Sequence, residues 1–149
     1  MNTSPVSYDQ AVTHVVAWFE TLTPATVATL PALYATNARF KDPFNDVRGI
    51  AAITHIFAHM FEALEAPRFV VRERIVQGQQ CFLTWEFRYG FRRFKQGEEQ
   101  VILGGSHLVF DDTGLVTLHR DYWDAAEELY EKLPVVGGLM RWLKKRANS

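Results

Sequence analysis

The sequence predicts an α+β domain in which three N-terminal helices pack on a strongly bent antiparallel sheet, with one more helix at the C-terminus. Three observations carry this. Apolar residues recur at helical spacing before Pro67, and they alternate at period two over long runs after it. Between two of those runs, Asp111-Asp112-Thr113-Gly114 has the composition of a hairpin turn. Runs of helix followed by runs of strand belong to α+β architecture rather than to alternating α/β folds. A length of 149 residues suits a single domain over 1–149, with a core at about 8–124 and a helical tail over 125–146.

Each element has its own signal. Ser7 caps a first helix that carries Val12, Val15, Val16, Phe19 and Leu22 on one face. Thr23-Pro24 opens a second helix with Val27, Leu30 and Tyr34 on one face, and Pro31 should kink or shorten it. A short extended piece, Ala38–Lys41, leads into the turn Asp42-Pro43-Phe44-Asn45-Asp46. After Gly49 a third helix turns Ile50, Ile53, Phe57, Met60, Phe61 and Leu64 inward, and Pro67 ends it. The strands then follow as Phe69–Val76, Cys81–Phe94, Gln100–Phe110 and Leu115–Trp123. Gly104-Gly105 inside the third of these signals a bend, a bulge or a close backbone approach. In the tail, Leu139, Trp142 and Leu143 form an apolar face beside Arg141, Lys144, Lys145 and Arg146. Such a helix packs on protein, of the same chain or a partner, or makes weak peripheral contact with an acidic membrane.

Composition narrows the function classes. Hydrophobic residues make up 48% and aromatics 13%, a surplus that fills a core or lines an apolar cavity. The formal net charge is −1, from 16 basic and 17 acidic residues, so the overall pull that drives nucleic-acid binding is absent and no such partner is expected. Cys81 is the only cysteine; no intrachain disulfide can form, and inert burial is expected. The first residues lack the pattern of a signal peptide, no apolar run reaches the ~18 residues of a membrane span, and a cytoplasmic location is expected.

The run Tyr34-Ala35-Thr36-Asn37-Ala38-Arg39-Phe40-Lys41-Asp42-Pro43-Phe44 resembles the segment that enters the active site in ketosteroid isomerases and related SnoaL-like proteins of the NTF2-like superfamily. The stretch from Asp112 to Asp124 also resembles these proteins, and Arg120-Asp121-Tyr122-Trp123-Asp124 within it is similar to a stretch in limonene-epoxide-hydrolase-like members. The similarity in element order covers residues from about 8 to 124. It implies the cone-shaped NTF2-like fold, a pocket for a small and largely apolar ligand, and a homodimer, since many proteins of this fold pair through the sheet.

The resemblance also places candidate residues. Asp42 falls where the isomerases hold their general base, and Trp18 and Ser106 occupy the positions of that family's two oxyanion donors. Asp121 matches a pocket carboxylate of the epoxide hydrolases, but the arginine and second carboxylate of that family are missing from Gly104–Phe110. Phe44, Phe57 and Trp123 are expected to line the pocket. His119 and Asp121 are two apart on a strand, so they share a face, either as a pocket pair or as an ion pair at a half-exposed strand end. Asp42 before Pro43 equally suits an aspartate that bonds its own turn. His55 and His59 lack a third ligand, so no metal is expected, and no cofactor either. Two functions remain open. One is cofactor-independent acid–base chemistry on a small hydrophobic substrate, of isomerase, cyclase or hydrolase type, with Asp42, Asp121 and His119 as catalytic groups. The other is a ligand carrier or protein-interaction module that uses the same cavity.

Overall fold

Helix α1 spans Tyr8–Glu20 and buries Val12, Val15, Val16 and Phe19 on the face that their spacing defines. The computed structural model describes residues 8–93, 96–128, 142, 143 and 145–147; the expected cap Ser7 and the tail residue Leu139 lie outside them. The expected second helix is a 3₁₀ helix, Thr26–Ala32, with Pro31 inside it. Proline has no N–H to continue an α-helical ladder, and the last turn closes instead with the Leu33 amide on the Leu30 carbonyl at 2.9 Å. Its start is fixed by a reciprocal bond pair. The Thr26 amide reaches the Thr23 hydroxyl at 3.2 Å, and the Thr23 amide reaches the Thr26 hydroxyl at 2.8 Å. Because this helix stops early, Tyr34 is not on its face but opens a strand.

That strand, β1, runs Tyr34–Lys41, longer than the extended piece expected, and a short β2 follows at Asp46–Arg48. Helix α2 covers Ile50–Ala63. The remaining strands are β3 Leu64–Gln77, β4 Gln80–Phe91, β5 Gln100–Phe110 and β6 Val116–Tyr122, and a four-residue helix α3 covers Ala125–Glu128. The six strands form one curved sheet in the order β2-β1-β6-β5-β4-β3, with helices on its concave side. Neighbours are antiparallel except β1 and β6, which run parallel with Phe40 opposite His119. Parallel neighbours need a long crossover, and here α2 and β3–β5 lie between them in the chain.

Pro67 does not end α2 but sits in β3, at a register shift between Glu65 and Arg68 where Ala66 takes a φ of 45°. β3 is an edge strand, where a missing ladder donor costs little. Gly104-Gly105 makes no bulge, since the β4–β5 register runs unbroken from Gln80↔Val109 to Tyr89↔Gln100. The hairpin after β5 is tied by Asp111, whose carboxylate accepts from the Thr113 hydroxyl at 2.6 Å and from the Thr113 and Leu115 amides. These bonds hold its carboxyl below the usual range.

The core is apolar and rich in rings, with Leu30, Ile53, Leu83 and Leu108 fully enclosed. Cys81 belongs to it, 2% exposed, which bears out its expected burial, and that burial pushes its thiol up to about 11. Trp142 and Leu143 of the tail are 54% and 45% exposed in the single chain. Among the described residues no helix is long and apolar enough to cross a membrane.

Candidate functional site

Between α2 and the concave face of the sheet lies a cavity of about 370 Å³, within the roughly 300–1,000 Å³ of small-molecule sites. Ile56, Phe57 and Met60 of α2 form one wall, and Trp85, Phe87 and Tyr89 of β4 form another. The three β4 residues alternate along the strand, so they share its inner face. Phe44 and Trp123 make an edge-to-face pair at the rim, with centroids 5.5 Å apart at 73°. Phe44 is 52% exposed there. At the opposite end, beyond Asp121, the space narrows to about 10 Å³ between Phe19, Val71, Ser106 and His119.

Strand register assembles the polar end. His119 and Asp121 sit two apart on β6 and share its inner face. Ser106 on β5 is directly opposite Asp121, and Gly104 is opposite Trp85. The Trp85 indole therefore lies diagonally from Ser106 and donates to its Oγ at 2.9 Å. Ser106 Oγ donates to Asp121 Oδ1 at 2.5 Å. His119 Nε2 is 2.6 Å from the same Oδ1, and His119 Nδ1 is 2.6 Å from the Tyr34 hydroxyl. His119 is 3% exposed and Tyr34 1%.

Proton counting fixes the direction of every bond. An indole N–H only donates, so Ser106 must accept from Trp85 and pass its own proton to Asp121. Burial first, and then the charge of Asp121, raise the Tyr34 hydroxyl well above its ordinary pKa, so it keeps its proton and donates to Nδ1. The imidazole proton then belongs on Nε2, facing Asp121. All four donors thus drain towards one oxygen. Among the described residues no hydrogen bond ends on Oδ2, and Asp121, with its side chain 13% exposed, lines the cavity.

The structure brings Asp121, His119 and Ser106 together and sets Phe57, Phe44 and Trp123 in the cavity wall. Asp42 lines the cavity too, but its carboxylate is tied into its own turn. Oδ1 accepts the Phe44 amide at 2.8 Å, the Asn45 amide at 2.7 Å and Asn45 Nδ2 at 3.1 Å. Trp18, expected as a donor, does not line the cavity; its indole N–H is spent on Thr29 Oγ1 at 2.9 Å, because α1 and the 3₁₀ helix pack there. Sequence reasoning missed Tyr34, placed on a helix face, and Trp85, which was not among the expected pocket residues. The alternation along β4, which puts Trp85 on the same face as Phe87 and Tyr89, was the available signal for the second. The Tyr89 hydroxyl in the cavity wall is buried with no hydrogen-bond partner among the described residues, and burial, then Glu128, pushes it up to about 12.

Gly104 is what allows Trp85 its position. A Cβ added there would stand 2.5 Å from the indole Cη2 and 2.9 Å from two more ring carbons. Gly104→Ala should therefore shift the indole off Ser106, lower stability by about 1–3 kcal/mol in thermal melts, and weaken binding of an apolar probe in the cavity. Gly105→Ala instead presses on Phe82 and the Leu83 carbonyl, away from the cavity. It should cost stability but leave binding unchanged, and equal binding losses in the two variants would contradict this placement.

A family model described as a SnoaL-like domain matches residues 15–119. No curated protein matches the chain by sequence. Similar solved structures include an epoxide hydrolase of the LEH-like type from M. tuberculosis, 17% identical, TM-score 0.67, covering 95% of this chain and 98% of that one. A protein from Jannaschia sp. CCS1, provisionally named a SnoaL-like polyketide cyclase, is 18% identical with TM-score 0.69, covering 85% and 93%. A protein of ketosteroid isomerase-like fold from Catenulispora acidiphila, solved with trimethylamine, is 16% identical with TM-score 0.67, covering 85% and 92%. At these identities the likeness establishes the NTF2-like fold, and the family match over most of the length establishes more: the chain belongs to the SnoaL-like domain family.

Proposed function

We propose that this protein binds a small, apolar-bodied molecule in its cavity and carries out cofactor-independent acid–base chemistry on it, with Asp121 as the proton-transferring group. The observation that supports this is the carboxylate of Asp121 in the cavity wall, with its hydrogen bonds from Ser106 and His119 both on Oδ1 and none on Oδ2 among the described residues. A general base needs such a free oxygen within reach of the substrate. His119 and Ser106 orient the carboxylate, and Tyr34 and Trp85 orient those two in turn.

Asp42 suits this task less well, because three donors already hold its Oδ1. An enolate mechanism of the isomerase kind also lacks support, since the indole, hydroxyl and imidazole donors are turned onto Asp121 and each other rather than into the cavity. The tied turn of Asp42 favours a second reading, a carrier that binds the same ligand without changing it. Homodimer formation would use the outer sheet face, where Leu103 and Tyr122 are 58% and 46% exposed.

Native mass spectrometry on protein purified from its source should reveal a bound small molecule. Small enones, lactones and epoxides with apolar bodies form the panel for turnover. Binding across the panel with no turnover would replace the enzyme by the carrier, and absence of binding would remove both.

A further inference from the structure

We propose that the ligand is an organic cation, an amine with an apolar body bound in its protonated form. The inference rests on the cavity reading above and names the ligand class; it holds whether or not Asp121 transfers a proton.

The charge of the cavity is mainly acidic. Asp42 and Asp121 both line it, its one basic lining group is His59, which is largely exposed and lies 3.9 Å from Glu62, and among the described residues no lysine or arginine lines it. The nearby arginines of β1 and β6 face the other way. Arg39 and Arg120 alternate with Phe40 and Asp121 along their strands, so they project from the outer face of the sheet. There Arg39 forms a paired contact with Asp46 at 2.9 and 2.7 Å, and the Arg120 guanidinium lies 4.8 Å from the Tyr122 ring centre.

Trp85, Ser106, His119 and Tyr34 all lead towards one oxygen of Asp121, and among the described residues no lysine or arginine contacts that carboxylate at the inner end of an apolar space. A buried charge without a partner is costly, and the direct remedy is a counter-charge supplied by the ligand.

The walls suit the same ligand. Eight lining side chains are aromatic, among them Phe40, Phe57, Trp85, Tyr89 and Trp123. The ring faces carry negative potential and attract ammonium groups, most strongly where water is excluded, and their apolar area accepts the rest of the molecule. A carboxylate or an enolate ligand would instead set a second negative charge beside Asp121, with no lysine or arginine among the described lining residues to pair with either.

The test compares shape-matched probes on the full chain by titration calorimetry: benzyltrimethylammonium, which is permanently charged, and neopentylbenzene, its neutral isostere. The cation should bind at least about tenfold more tightly. Asp121→Asn should bring the two within about threefold of each other by weakening the cation alone. Trp123→Ala, at the rim, provides a second reading should Asp121→Asn fold poorly, and it too should weaken the cation more than the hydrocarbon. A neutral probe that binds as tightly as the cation overturns the amine inference and leaves the apolar cavity standing. If neither probe binds, the cavity reading itself fails and the amine inference goes with it.

Discussion

Asp121→Asn should lower turnover of any substrate found for this protein by about 10²–10⁴-fold, the usual contribution of a positioned general base. Asparagine keeps the size of the side chain, and its carbonyl oxygen can still accept from Ser106 and His119. What it loses is the charge and the oxygen that takes the proton. The loss should therefore fall on kcat while the protein stays folded and still binds neutral ligands. Asp42→Asn is the control from the same cavity. Its carboxylate already accepts the Phe44 and Asn45 amides, so substitution should cost some local stability in the turn and leave turnover within a few-fold. The opposite pattern, with Asp42→Asn inactive and Asp121→Asn active, would return the chemistry to the isomerase-type position and remove Asp121 from it.

The architecture was legible because it depends on local periodicity. α1, α2 and the alternation of β4 follow directly from which residues are apolar and at what spacing, and β5 and β6 were placed to within a residue or two. The errors lie in how far a local signal reached and in long-range pairing. Pro31, expected to shorten the second helix, left it a 3₁₀ helix ending at Ala32, so Tyr34 stands not on a helix face but at the start of β1. The network was invisible from sequence for this reason, since Tyr34 and His119 meet only through the parallel β1–β6 pairing across 85 residues of chain. Ser106 was expected as a donor and is one, but its proton goes to Asp121 rather than into the cavity, which only the β5–β6 register reveals. For Asp42 the Asx-type bond to its own turn was one of two readings, and the structure shows that bond in place.

His119→Ala should be among the most destabilising single substitutions in the chain, at about 3–5 kcal/mol, as for removal of a fully packed ring. The imidazole is 3% exposed and touches Phe40 at 4.7 Å, Phe19 at 5.4 Å and Tyr34 at 6.0 Å between ring centres. Truncation leaves a void among these rings, strands the Tyr34 hydroxyl and removes one of two donors from Asp121. At about 2–4 °C per kcal/mol for a chain of this size, the melting temperature should fall by roughly 6–20 °C. Packing and hydrogen bonding can then be separated. His119→Phe restores the ring but leaves Tyr34 and Asp121 short of a partner, so it should recover only part of the loss; each stranded buried group costs about 1–3 kcal/mol. Adding Tyr34→Phe removes one stranded group, and replacing both partners by apolar rings is close to neutral. The double variant His119→Phe/Tyr34→Phe should therefore melt higher than His119→Phe alone, although Tyr34→Phe by itself melts lower than the parent. Additive losses in that cycle would mean that the Tyr34–His119 bond carries no coupling energy, and the buried relay onto Asp121 would then be a packing arrangement only.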